Sequence, residues 1–488
     1  MRKAYSPQLR FDSSPIAEVS LNFECRDEVI PVLAGLQYLY TDTKLRRKVV
    51  QLVANDLNQD SRRDVGRPGM DDWQVTVLAA VRLGCDYDYD KLQDQVENHR
   101  ALRGILGIGD WEHADGFTWR RIRDTLCQLT ADTIARINQC IVQAGHGLNP
   151  QASQSVRADS FVVETNIHYP TESSLIWDGV RKFVPLCVEL AKLLDVDGWR
   201  QAKHLMKKVK ELNRNISRVS ASKNTHKKGA LESHYSDLLT RADSLISRAK
   251  ELQITAQKRG TSSMEVWLLA RRITTWIGLT EQVCDTARRR VLLGETVPNR
   301  DKLFSLFESH TQLYRRGKAG TPNQFGRLVL VFEDGAGFIS HYHLMDRNAQ
   351  DADVIVEQTQ VAQKKHSGEI QTASFDRGFY SPENETELSK IINHPCLPPR
   401  HPAQFAERLA GASVEFREAR KRHAGVESAI GSTQRGNGLK RCRDRTELGF
   451  ERYLGLAILG RNIHTLGKLL IARANSLAEA AKSKRQAA

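Results

Sequence analysis

The strongest constraint on this chain is a change of hydrophobic period. A strand-like run rich in β-branched residues, Arg157 to Glu164 (RADSFVVE), stands far upstream of two further β-like runs, Phe325 to Phe332 and Phe338 to Leu344. The sequence between them repeats at helical spacing. A strand cannot stand alone, because its backbone N–H and C=O groups need partners. The first run is followed by a large helical insertion before the next β-like runs. Within that insertion Leu205, Val209, Leu212, Ile216 and Val219 recur at alternating steps of four and three, as do Leu238, Ala242, Leu245, Ala249 and Leu252. The polar loop Ser222 to Gly229 (SKNTHKKG) between them predicts an antiparallel helical hairpin.

Upstream, residues 30–148 carry helical patterning, with Gly84 as a stop after Trp73 to Leu83 and with Ile122, Leu126, Leu129, Ile134, Ile137 and Ile141 on one face. Downstream, the two β-like runs are joined by Glu-Asp-Gly-Ala-Gly, a hairpin connection whose glycines accept positive φ. A helix over 349–364 and a short strand, Glu369 to Phe375 (EIQTASF), follow. A Pro-rich connection from His394 to His401, a helical stretch across 403–435 and an amphipathic helix near 450–475 come next, and the tail after Ala478 is expected to fray. The expected fold class is thus mixed α+β. Residues 1–150 are expected to form a helical amino-terminal domain, 151–180 with 310–475 a mixed-sheet domain, 181–309 a basic helical insertion, and 476–488 a flexible tail. With the insertion lifted out, the element order is that of an RNase H-like sheet.

Composition narrows the partners. The chain holds 72 Lys and Arg against 58 Asp and Glu, a net charge of +14, which favours a polyanion. Between Arg200 and Lys228 the cations Arg200, Lys203, Lys207, Lys208, Lys210, Arg214, Arg218, Lys223, Lys227 and Lys228 oppose Glu211 alone. Such a face suits phosphates, each neutralised contact adding about 0.9 to the salt exponent of binding. The longest apolar runs fall well short of the ~20 residues a membrane helix needs, so no membrane partner is expected. The amino terminus lacks the apolar stretch of a signal peptide, which predicts a cytoplasmic protein, one associated with the nucleoid if the polyanion is DNA. The eight cysteines are scattered, without the spacing of a zinc site or a disulfide framework.

Three acidic residues sit where chemistry can use them: Asp159 in the first strand, Asp376 after the later strand, and Glu427 on a late helix. Taken singly, each is equally a turn, capping or solvated residue. Their surroundings are more specific. The segments Ala158 to Leu175 (ADSFVVETNIHYPTESSL), Ser374 to Asn384 (SFDRGFYSPEN) and Arg422 to Gly438 (RHAGVESAIGSTQRGNG) resemble the three catalytic blocks of DDE transposases of bacterial insertion sequences, in the group with a T-N-I-H-Y-P-T block after the first Asp. Gly317 to Leu330 (GKAGTPNQFGRLVL) is similar to that group's approach to its second strand, and residues 71–125 look like its amino-terminal helical domain.

The resemblance implies that Asp159, Asp376 and Glu427 are the catalytic carboxylates and hold two Mg²⁺ ions, with Mn²⁺ able to substitute. It implies metal-dependent cleavage of double-stranded DNA at the element's terminal inverted repeats and strand transfer into target DNA, by a homodimer or higher synaptic complex. Thr165, Asn166, His168, Tyr169, Tyr380 and Ser428 lie within the blocks as supporting candidates. Lys318, Arg377, Arg422, His423, Arg435, Lys440 and Arg441 join the insertion's cations as candidate DNA contacts; for His423 the competing reading is a hydrogen bond that orients its helix. Two departures stand out. The long insertion follows Asp159 rather than Asp376, and where some relatives carry a Tyr, Arg and Lys set around the Glu, this chain has Arg420, His423 and Gln434, with Arg435 as the candidate replacement for the Lys. Two other readings use the same residues: an inactive transposase-derived DNA-binding protein, and an RNase H-like nuclease that cuts without joining.

Overall fold

The computed structural model describes residues 12–58, 69–223, 227–259, 263–315 and 322–487. Lys318 and the centre of the Ser222 to Gly229 loop lie outside the described residues. In chain order the elements are α1 (Val29–Thr41), α2 (Thr43–Leu57), α3 (Asp72–Gly84), α4 (Tyr89–Asn98), α5 (Arg100–Leu106), α6 (Trp119–Leu126), α7 (Ala131–Leu148), β1 (Ser155–Glu164), α8 (Glu172–Leu193), α9 (Ala202–Ala221), α10 (Lys227–Lys258) and α11 (Met264–Ala287). There follow β2 (Gln312–Tyr314), β3 (Gln324–Asp334), β4 (Ile339–Leu344), α12 (Asp351–Lys365), β5 (Thr372–Phe375), α13 (Pro382–Ile391), β6 (His394–Cys396), α14 (Pro402–Ala410), α15 (Val414–His423), α16 (Gly425–Gly436) and α17 (Glu447–Ala487). The chain divides into two compact units, Met1–Asn166 with Arg327–Ala488, and Ile167–Gly326.

In the first unit the local chemistry sets the helix starts. The Asp42 carboxylate accepts from the Lys44 and Leu45 amides, Asp71 and Gln74 close a capping box, and Thr130 caps α7. The apolar stripes of these helices close on α17, which packs against α1, α3 and α7. Glycines set how near it comes. A Cβ on Gly467 would collide with the Pro31 carbonyl of α1, and one on Gly460 with the Gly84 backbone of α3. Arg82, buried, reaches from α3 to Asp444 at 2.6 Å and ties the amino-terminal helices to the segment ahead of α17.

In that unit's sheet β3 lies beside β1, β1 beside β5 and β5 beside β6, while β4 pairs with β3. The β1–β5 and β5–β6 ladders are parallel, the β3–β4 ladder antiparallel. Asp334 builds the β3–β4 turn by accepting from the Ala336 and Phe338 amides, and Gly337 takes the positive φ of 87° that the turn requires.

The second unit is a helical bundle. α8 packs on α11 and α9, and α9 on α10, around Phe183, Leu190, Leu238, Leu245 and Ile273. Gly179 lets α8 approach α11, since a Cβ there would collide with the Thr280 hydroxyl. β2 pairs antiparallel with Gln324–Gly326, the leading residues of β3.

Several expectations are revised. The helices expected as a separate domain over 1–150 share one hydrophobic core with the sheet, Leu33, Trp73 and Ile141 joining Phe161, Val331 and Leu459. The residues after Ala478 continue α17 to Ala487, in keeping with the helix propensity of their Ala, Glu and Lys. The Pro-rich connection contains β6, and α13, capped by Ser381 with Pro382 at its first turn, precedes it. Among the described residues no helix is long and apolar enough to cross a membrane.

Candidate active site at the rim of the sheet

Two of the three carboxylates are placed by strand register. β1 and β5 pair in parallel with Ser155 opposite Thr372 and Ala158 opposite Phe375. Asp159 and Asp376 are the residues that directly follow this last pair of the ladder. Asp159 is half-buried within β1, its Oδ1 accepting from the Ser160 amide at 2.7 Å, whereas Asp376 is exposed just past β5, where the chain turns into a short 3₁₀ segment.

Glu427 comes from α16, which packs on β1. Val426 and Ile430 of that helix enter the same core as Phe161 and Val163 of β1, the residues two and four positions beyond Asp159 and hence on its face. Glu427, next to Val426, lies in the exposed first turn. Asp159 thus lies on β1, Asp376 just past the neighbouring β5, and Glu427 on the helix packed against β1. Their side chains are not closed into a ligand shell: among the described residues no group of three or more His, Cys, Asp or Glu is disposed to hold a metal ion.

The junction between α15 and α16 is fixed by Arg157, two residues before Asp159 on the same face of β1. Its Nε donates to Glu333 Oε2 at 2.5 Å and its Nη1 to the Arg422 carbonyl at 2.9 Å. Gly425 has to be glycine for this contact, because a Cβ would run into the guanidinium. Burial raises the Glu333 carboxyl above its ordinary value, and the ion pair with Arg157 opposes that rise. A cavity of about 370 Å³ lies beneath α15, lined by Arg157, Glu333, Glu418 and Arg422 among others.

His423 is buried and sits 3.1 Å from the Ser374 hydroxyl of β5. Burial pushes its imidazole down to about 4, with Arg420 and Arg157 adding and Asp376 opposing, so it is neutral at physiological pH. That corrects its placement among the DNA contacts: a buried neutral ring bonded to β5 orients the end of α15 and cannot meet a phosphate. Arg377 is partly covered, its guanidinium 4.8 Å from the centre of the Phe405 ring. Arg422, Arg435 and Lys440 are exposed. Arg441 is held by Glu164 at 3.1 Å, where residues 440–442 run alongside the end of β1. Thr165 is buried, Asn166 and Ser428 are exposed, and Tyr380 is partly covered.

In the second unit Lys203, Lys207, Lys210 and Arg214 form an exposed stripe along α9, with Arg200 at its start. Lys208 is half-covered and 3.7 Å from Glu211, and Lys228 is exposed. Lys227 turns back, its ammonium donating to the Ser220 and Ser222 carbonyls at the end of α9. His168 lies 3.3 Å from Ser174 and 3.5 Å from Asp178, and Tyr169 is exposed.

Arg157, Glu333 and Gly425 were not singled out by sequence reasoning. The signal lay in RADSFVVE, where an Arg shares a strand face with the Asp two positions on. Comparison with family models, with curated proteins and with solved structures returns no match for this chain.

Proposed function

We propose that the protein is a DDE-type DNA transposase that cuts at the ends of a mobile element and joins the freed ends to target DNA. The observation that supports this reading is the parallel β1–β5 ladder, which ends with Ala158 opposite Phe375, the residues just before Asp159 and Asp376, with Glu427 on the helix packed against β1. The mixed sheet is compatible with it: β4 pairs antiparallel with β3, while the β1–β5 and β5–β6 ladders are parallel, the combination the RNase H-like reading expects.

Three carboxylates make an all-oxygen donor set of the kind Mg²⁺ takes, so Asp159, Asp376 and Glu427 are the residues that would hold it. When bound, such ions activate the attacking water or 3′-hydroxyl and stabilise the leaving oxygen. The chain's own residues do the remaining work. The stripe on α9 and the exposed Arg435 and Lys440 hold phosphates, His423 fixes the end of α15 to β5, and Arg157 fixes the junction from which Glu427 projects.

The test is a nicking and strand-transfer assay on supercoiled plasmid carrying the DNA that flanks the coding region. Mg²⁺ or Mn²⁺ is expected to support cleavage and Ca²⁺ not. Asp159→Asn, Asp376→Asn and Glu427→Gln should each abolish cleavage while binding of the ends persists. A variant that nicks at the unsubstituted rate removes its residue from the site, and nicking without a joined product assigns the protein to the nucleases.

A further inference from the structure

The second unit holds a cavity of about 250 Å³ that the carboxylate site does not use. Its wall gathers three cations from separate segments: Arg290 in the π-helical turn after α11, Lys302 after a 3₁₀ turn, and Arg315 after β2. Among the described residues of the lining, the one carboxylate is Glu172, which pairs with Arg290. Arg315 donates to the Asn323 side-chain oxygen at 3.2 Å, a partner that orients the guanidinium without neutralising it. Burial lowers the Lys302 ammonium from its ordinary value, and the charges of Arg290 and Arg315 lower it further. The three groups therefore repel one another, a cost that a bound anion offsets.

Tyr169 also lines the cavity. It is 67% exposed and stands edge-on to Phe325, ring centres 5.4 Å apart and planes at 85°. A positive groove beside an exposed ring is the arrangement that holds single strands, with phosphate on the charges and base on the ring.

The geometry points to this cavity as the binding site of one nucleotide of a DNA strand, its phosphate among Arg290, Lys302 and Arg315 and its base against Tyr169. The assignment rests on the transposase reading only in taking DNA as the partner; it does not need the carboxylates to be catalytic. A free phosphate has the same anion chemistry, so the experiment must separate the two sources.

The assay is fluorescence anisotropy of a labelled single-stranded oligonucleotide titrated with the full chain across a salt series, with inorganic phosphate as competitor. Lys302→Gln and Arg315→Gln are each expected to lower the salt exponent by about 0.7. Tyr169→Ala is expected to weaken binding about tenfold with the exponent unchanged, and Tyr169→Trp to restore it. Lys302→Arg, which keeps the charge, should bind as the unsubstituted protein does and so separates loss of charge from loss of fold. Arg272→Gln removes an exposed cation of α11 outside the cavity lining and sets the baseline for losing one charge. The proposal is overturned if the cavity variants change binding no more than Arg272→Gln does, or if inorganic phosphate displaces the strand while Tyr169→Ala has no effect. Because the readout is binding alone, carboxylate variants that still nick DNA would sink the proposed function and leave this result standing.

Discussion

Replacing Arg157 by Met tests whether the ion pair beneath α15 holds the active-site rim together. The substitution keeps an unbranched side chain but removes the guanidinium, leaving Glu333, 3% exposed, without the partner it meets at 2.5 Å. Stripping one partner from a buried pair costs about 3–5 kcal/mol. Arg461, whose charge also favours ionised Glu333, keeps the expected loss near the lower end of that range, about 3 kcal/mol. The pH dependence fixes the cause. Burial already raises the Glu333 carboxyl, and removing Arg157 raises it further. The deficit is therefore full above that raised value and shrinks as pH falls through it, because a protonated Glu333 needs no counter-charge. Urea unfolding followed by circular dichroism, at about pH 8 and about pH 5, measures both effects against the unsubstituted protein at the same pH. Glu333→Gln in the Arg157→Met background should recover most of the loss. A deficit below about 1 kcal/mol, equal at both pH values, would refute the reasoning, since that is the size of an exposed pair.

The packing of α17 makes a second expectation. Gly467→Ala sets a methyl against the Pro31 carbonyl, backbone that cannot swing aside, and should cost about 1–3 kcal/mol or more, whereas Gly449→Ala in the same helix meets only side chains at 3.4 Å and beyond and should be neutral or stabilising. Equal unfolding midpoints for the two variants would count against the close approach. Burial lowers His341 to about 3 and His423 to about 4 from an ordinary 6.5. Both are neutral when folded, so their contribution is complete above about pH 6.5 and drains away at up to about 1.4 kcal/mol per pH unit per ring as the pH falls towards those values. Thermal unfolding between neutral and mildly acidic pH should show that decline, and His423→Asn should flatten it; an unchanged slope in the variant excludes that ring.

Most elements with a local signal were legible in the sequence. RADSFVVE is β1, EIQTASF contains β5, and the alternating steps of four and three in 205–219 and 238–252 are α9 and α10. β6 was hidden because its residues, His-Pro-Cys, have no strand propensity and exist as a strand only by pairing with β5. α13 did carry a local signal, Ser381 before Pro382, that was passed over. The site divides along the same line. Asp159, Asp376 and Glu427 were named from their blocks, but the ladder that ends just before Asp159 and Asp376 joins residues more than two hundred positions apart. The Arg157–Glu333 pair and the contact of Gly467 with Pro31 are likewise products of tertiary packing. Nothing in the spacing around Arg290, Lys302 and Arg315 announces that they share a wall.

The edge-on contact of Tyr169 with Phe325 bears on how the chain assembles. These residues lie near opposite ends of the Ile167–Gly326 excursion, yet their rings are 5.4 Å apart. Loop-closure entropy grows as (3/2)RT ln n, which for a flexible detour of this length is about 4–5 kcal/mol that β3 must overcome before it can meet β1. A bundle that folds first acts as a clasp, delivering both ends of the detour to one place and reducing the search to a short span. If the helices of the excursion form before the ladder, the entropy of the detour is met inside the bundle and the sheet closes across a short span.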